Sequence, residues 1–182
     1  MAAGLPPVLA PPVLRRGAFQ LCQSGAILQY IGRKYGLAQF DSLEDEAQAE
    51  ALHACVQDYF SEGRNAFHPV DPLGSYRKQV DAARPYIARF AAERMPRFVR
   101  HFEAVLRANQ PSPFCVGPRL TWADLALFQA VRATEAQWGD AFARMRDVPL
   151  LRAFGARMAE RPRLAAYLAS PRCQPFSGDS MM

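Results

Sequence analysis

Residues 11–37 read PPVLRRGAFQLCQSGAILQYIGRKYGL. The double proline Pro11-Pro12 precedes a short apolar run, Val13-Leu14. A polar turn, Arg15-Arg16-Gly17, leads to a second short run, Phe19-Gln20-Leu21. Gln23-Ser24 then opens an amphipathic pattern that stops at Gly36. The spacing predicts a hairpin feeding a helix. The first turn of that helix carries a Gln and a Ser with no evident partner. Helix N-termini concentrate free N–H groups and partial positive charge, so this is a natural place for a carboxylate.

Outward from this stretch, the pattern turns helical after Phe40 and stays so. Ser42-Leu43-Glu44-Asp45 reads as an N-cap with an acid at the third helical position. Leu43, Ala47, Leu52, Cys55, Val56 and Tyr59 follow at helical spacing. His68–Gly74, with two prolines and a glycine, reads as a break. Tyr76–Asn109 is a long helical pattern with Pro85 and Pro96 inside it, each expected to kink or break the helix. Asn109–Pro118 reads as a loop. In Leu120-Thr121-Trp122-Ala123-Asp124-Leu125, Thr121 is a candidate N-cap and Asp124 lies three residues on. Leu120 and Leu125 are placed for a hydrophobic staple. The helix that follows is apolar on most sides and should be central and buried. Pro149 and Pro162 each start a further helix, and the tail from Arg172 has no periodicity.

The chain of 182 residues fits one domain or one and a fraction, long enough for a sizeable core. No run approaches the roughly 18 apolar residues that span a bilayer. The apolar start, MAAGLPPVLAPP, lacks a basic leader and is broken by prolines, so no signal peptide is read. The four cysteines, Cys22, Cys55, Cys115 and Cys173, form no CxxC pair and read as free thiols of a reducing compartment. Net charge is +5, but the arginines are spread along every helix rather than clustered on one face. That distribution argues against nucleic-acid binding and for a solvated surface with a mild preference for anionic substrates. His53, His68 and His101 show no metal-ligand spacing, and no metal site is expected.

Several segments together resemble one family. Pro12-Val13-Leu14, the turn, Gln23-Ser24 and Ala26-Ile27-Leu28-x-Tyr30-Ile31-Gly32 resemble the second half of the glutathione-binding domain of glutathione transferases. Leu120-Thr121-x-Ala123-Asp124-x-Ala126-Leu127-Phe128 resembles the buried helix of that family's C-terminal domain. Arg94-Met95-Pro96-Arg97-Phe98…His101-Phe102-Glu103 resembles the long helix of sigma-like members. Val148-Pro149-Leu150-Leu151 and Glu160-Arg161-Pro162-Arg163-Leu164…Tyr167-Leu168-Ala169-Ser170-Pro171 resemble the last two helices of the pi, mu and sigma type. The resemblance implies a mainly α fold. It places a partial thioredoxin-like (βα) glutathione-binding domain at 1–38, an all-helical domain at 42–171, and a tail at 172–182.

The resemblance also assigns site residues. Pro12 matches the family's cis-proline, whose strand sets the preceding backbone against the cysteinyl part of glutathione, so Pro11, Pro12 and Val13 are binding positions. Gln23 and Ser24 match the pair that holds the γ-glutamyl carboxylate. Asp58 matches an acid that reaches the γ-glutamyl ammonium bound in a partner subunit. Thr121 and Asp124 match a structural cap. Read from the residues alone, Ser24 is an N-cap and Asp58 a surface acid. Tyr59, Phe60 and Phe67 line an electrophile pocket on one reading and pack the core on the other. Tyr30 and Tyr35 read as packing residues, and Cys22 as either an oxidant-sensitive or an inert thiol.

Three departures from the family pattern matter. The turn is Arg15-Arg16-Gly17, where an Asp-Gly-type turn is common in the family. Pro11 has no N–H, so one backbone bond to the tripeptide is lost. The Tyr or Ser that stabilises the thiolate belongs to the domain's first half and is expected before residue 1, so no catalytic residue is assigned. The implied function is transfer of glutathione to electrophilic apolar small molecules in the cytoplasm by a homodimer. Glutathione is the co-substrate, and no other cofactor, membrane or nucleic acid is involved. Activity of this chain is expected to be impaired. The alternative is a non-catalytic ligand carrier or protein-interaction module.

Overall fold

The computed structural model describes residues 7–176. The first six residues of the apolar start and the last six of the expected tail lie outside the described residues. A hairpin pairs β1 (Val13–Arg16) with β2 (Phe19–Cys22) in antiparallel register, Val13 opposite Cys22 and Arg16 opposite Phe19. Gly17 takes φ 58° in the connecting turn, a conformation open to glycine at little steric cost. The chain passes from β2 directly into α1 (Ser24–Lys34), which ends at Tyr35 and Gly36 as its sequence pattern requires.

The rest is helical: α2 (Leu43–Phe67), a 3₁₀ turn (Tyr76–Lys78), α3 (Val80–Arg89), a π-helical turn (Phe90–Arg94), α4 (Met95–Ala108), α5 (Trp122–Arg144), α6 (Pro149–Ala159) and α7 (Pro162–Leu168). The Ser42 hydroxyl accepts from the Asp45 N–H at 3.0 Å, the cap read from the sequence. Leu43, expected on the packed face, is instead exposed, because it occupies the first helical position and the core stripe starts at Ala49. Pro96 falls in the first turn of α4, where its missing N–H is not needed. Helix α3 runs through Pro85, and the irregular backbone comes five residues later, in the π turn. Both Pro149 and Pro162 start their helices.

α5 is the centre of the molecule. Trp122, Ala123, Leu127 and Ala133 are fully buried, and Phe128, Val131 and Phe142 nearly so. Around it pack Leu52, Val56 and Tyr59 of α2, Val99, Phe102 and Leu106 of α4, and Leu151, Phe154 and Met158 of α6. The Tyr59 hydroxyl, sealed in this core, pairs with Thr134 at 2.7 Å, and burial pushes its pKa up. Asp124 closes the N-terminal cap of α5. Its Oδ2 accepts from the Thr121 N–H at 2.7 Å and the Thr121 hydroxyl at 3.0 Å, and its Oδ1 accepts from the Cys115 N–H at 2.8 Å. Burial raises the Asp124 pKa, and those hydrogen bonds pull the other way.

Two features were not read from the sequence. Buried Glu103 on α4 accepts from the Leu151 N–H at 2.8 Å, supplying α6 with an N-terminal acceptor from another element. Gln79 ties down the break after α2, taking the N–H groups of Val70 and Asp71 and donating to the Asp71 carbonyl. The aperiodic tail is also held at its start, where the Arg132 guanidinium lies 5.3 Å from the Phe176 ring centroid.

Candidate functional site

The peptide bond between Pro11 and Pro12 is cis, as expected for Pro12. Pro11 and Pro12 are exposed, and Val13 is half-buried at the start of β1. Gln23 turns the chain from β2 into α1 at φ 73°, ψ 118°. It is the one non-glycine at positive φ among the described residues. A side chain there costs about 1–3 kcal/mol, and such strain concentrates at binding sites. Gln23 is the cap position, and Ser24 is the first helical residue rather than the N-cap. Neither caps the helix: no side-chain cap bond forms, and no acid lies in the first turn. Both side chains are exposed. The head of α1 thus presents uncapped N–H groups and two polar side chains to solvent, a geometry suited to a carboxylate.

α1 reaches this position by docking on the helical body at close range. A Cβ on Gly32 would lie 2.7 Å from Trp122 Cδ1, so only glycine lets the helix seat against that indole. The Trp122 backbone N–H donates to the Leu37 carbonyl at 2.8 Å. Arg33 pairs with Glu46, and Arg119 pairs with Asp41, across the same seam.

Beside Ser24 lies a groove of about 400 Å³ between three helices. Leu28 of α1, Val56 and Phe60 of α2, and Leu125 and Ala126 of α5 make its apolar walls; Ser24, His53, Gln57 and Gln129 are its polar groups. His53 is 6% exposed. Its Nε2 is 2.9 Å from the Gln57 amide nitrogen, and its ring meets Trp122 edge-on at 5.5 Å. Burial lowers its pKa.

The remaining site candidates separate. Asp58 is exposed on α2 and does not line the Ser24 groove. Of the candidate pocket aromatics, Tyr59 and Phe67 are core residues and only Phe60 borders the groove. Tyr30 stacks on Phe19 at 4.9 Å, a packing role as read; Tyr35 is 68% exposed, because it lies past the last turn of α1. His68 latches the loop after α2 through the Gly74 carbonyl at 3.0 Å. All four thiols are free. No group of metal-ligating side chains occurs among the described residues, and none of their helices is long and apolar enough to cross a membrane. His53 and Gln57 were missed as neighbours of Ser24. The signal was Gly25, a glycine in a first helical turn, which marks a close approach.

A hairpin and open helix head docked on a bundle around a buried, Asp-capped helix define a mainly α protein with a partial thioredoxin-like unit. Comparison with known proteins agrees. Residues 65–171 match the family model described as glutathione S-transferase, C-terminal domain. The chain is 30% identical to the glutathione S-transferase P of Bos taurus over 92% of its own length and 73% of that protein's. It is 29% identical to a glutathione S-transferase of Plasmodium yoelii yoelii, covering 87% of this chain and 67% of that one. The structure of the Onchocerca volvulus Pi-class glutathione S-transferase superposes with a TM-score of 0.68 at 25% identity, over 86% of this chain and 68% of that one. The Ascaris lumbricoides glutathione S-transferase gives 0.66 at 24% identity, over 92% and 77%. The chain belongs to the glutathione S-transferase family.

Proposed function

We propose that this chain binds glutathione at the head of α1 and acts in transfer of that tripeptide to apolar electrophiles. The observation that carries the reading is the uncapped first turn of α1, reached through the strained Gln23 and fronted by Ser24. Gln23, Ser24 and the first-turn N–H groups hold the γ-glutamyl carboxylate by charge-assisted hydrogen bonds. The backbone around Pro11, Pro12 and Val13 lies along the cysteinyl part, with Pro11 contributing no N–H. Asp58, exposed on α2, meets the γ-glutamyl ammonium bound by a second copy, so the working form is a homodimer. The partial thioredoxin-like unit at 1–38 supplies the tripeptide contacts, and the helical domain at 42–171 supplies the apolar wall. Glutathione is a co-substrate rather than a resident cofactor, and the cytoplasm, rich in it, is the place of action.

We assign no residue here the task of stabilising the thiolate. A thiol of pKa about 8.5 is mostly protonated at neutral pH and needs such help. The tyrosines Tyr30 and Tyr59 are committed, one to a stack with Phe19 and one to Thr134. With no activating residue assigned, the second reading for the chain as given is a ligand carrier that holds glutathione without fast turnover. Calorimetric titration with glutathione and conjugation of a model aryl halide test both. Measurable binding weakened about tenfold by Ser24→Ala, the loss of a charge-assisted hydrogen bond, is expected, with conjugation near the uncatalysed rate. Binding unaffected by Ser24→Ala overturns the site. Turnover at the rate of an intact transferase overturns the assignment of no activating residue and leaves the site standing.

A further inference from the structure

Among the described residues, His53 is the one ionisable side chain bordering the Ser24 groove. From α1 the groove receives Ser24 and Leu28; from α5, Leu125, Ala126 and Gln129; from α2 itself, Val56, Gln57 and Phe60 beside His53. The indole of Trp122 on α5 and the backbone of Gly25 on α1 complete its surroundings. None of these carries a charge. The nearest acid one turn back on α2, Glu50, is exposed and faces Arg33 at 3.6 Å. The ring is fixed on two sides, by the Gln57 amide and by Trp122. On its third side the Cε1–Nδ1 edge lies against the residue after Ser24: a Cβ on Gly25 would be 2.6 Å from Cε1 and 3.3 Å from Nδ1. Nδ1 has no hydrogen-bond partner among the described residues.

We propose that His53 is a positioning residue for the carboxylate site at the head of α1, seating the Ser24–Gly25 turn and supplying, among the described residues, the one side-chain cation that can form in the groove beside a bound anion. This rests on the reading of Ser24 under Proposed function and deepens it. An imidazolium buried among neutral groups and next to a helix N-terminus lacks compensation, in keeping with its lowered pKa. A carboxylate held at Ser24 supplies that compensation. Binding then raises the ring's affinity for a proton, so protons are taken up on binding and affinity rises as pH falls. Gly25 is the second half of the device, because any side chain there would push the ring and the turn apart.

The test is calorimetric titration of the full chain with reduced glutathione at pH 5 and pH 7, an interval in which the tripeptide's own groups change little. The wild-type chain is expected to bind about five- to tenfold tighter at pH 5, the effect of a shift approaching one unit in one coupled group. His53→Gln keeps a side chain of similar reach and should bind with no such pH dependence. Gly25→Ala should weaken binding at both pH values, and Gly25→Ala with His53→Ala should regain part of the loss. Circular dichroism identifies any variant that fails to fold, in which case the wild-type and His53→Gln pH profiles decide. A flat wild-type profile, or an unchanged slope in His53→Gln, overturns the role of His53 while Ser24→Ala still weakens binding. No binding at either pH, or no effect of Ser24→Ala, overturns the underlying site instead.

Discussion

The hairpin and α1 differ from the helical body in what holds them. Over Val13–Lys34 only Gln20 and Gly32 are buried. In α5, by contrast, nearly every turn is buried, from Trp122 to Phe142. Two short strands and one helix cannot build an independent core. They are held by contact with the body, through Gly32 on Trp122, Gly25 on His53 and the Leu37 carbonyl on the Trp122 backbone N–H. The region with the candidate site is therefore the borrower, and the region with the stability lacks the open helix head. Stability and binding should respond to different substitutions.

The largest effect expected is on the body. Asp124→Ala removes the acceptor of two buried backbone donors, from Thr121 and Cys115, at a cost of about 3 kcal/mol. Urea denaturation should show the whole molecule destabilised, hairpin and α1 included, since they dock on Trp122 one residue past the cap. A loss confined to α5 would break the dependence of one region on the other. Gly32→Ala tests it from the other side. Helix propensity alone favours alanine by about 1 kcal/mol. The added methyl would meet three atoms of Trp122 at 2.7–2.9 Å, and that indole is fully buried and cannot yield. Overpacking of this kind costs about 1–3 kcal/mol, so a net loss of about 1 kcal/mol is expected. Hydrogen exchange should show it as lost protection in α1 with α4 and α6 unchanged. A stabilised protein would mean that α1 does not bear on Trp122.

The body was more legible than the site, and the reason is physical. Caps, proline starts and apolar periodicity are local signals, so Ser42, Thr121 with Asp124, Pro149 and Pro162 could be read directly. The bond from Leu151 to Glu103 spans 48 residues, and no local pattern announces an acceptor supplied from another helix. Pro85 was misjudged because an interior proline constrains one turn, and here the irregular turn falls at Phe90–Arg94 instead. Near the candidate site, the cis bond before Pro12 and the helix start at Gln23-Ser24 could be read because they adjoin the hairpin, while the binding roles of these residues are a proposal. His53 was not, because its neighbours Gly25 and Trp122 come from two other helices.

The smallest effect expected lies within the body and needs a pH axis to be seen. Arg94, in the π turn, grips Glu62 of α2 with two hydrogen bonds of 2.7 Å. That grip, chiefly its hydrogen bonding, lowers the Glu62 pKa below its ordinary value of 4.5. A depressed folded-state pKa contributes stability that is present above the unfolded value and lost as pH falls through the folded one. The Glu62 side chain is 37% exposed, so solvent screens most of the pair's worth. Asp124 shifts the opposite way, its raised pKa making the fold relatively more stable as pH falls, so the total profile mixes the two. Comparing the wild-type chain with Glu62→Gln cancels the Asp124 contribution. The difference in denaturation midpoint should be small at pH 7, shrink as pH falls below 4.5 and vanish once pH lies below the lowered folded-state pKa of Glu62. Binding of glutathione should not change, because Glu62 does not line the Ser24 groove. A pH-independent difference would mean the pair acts through packing of the π turn rather than charge, and altered glutathione binding would couple the two regions by a route other than α1.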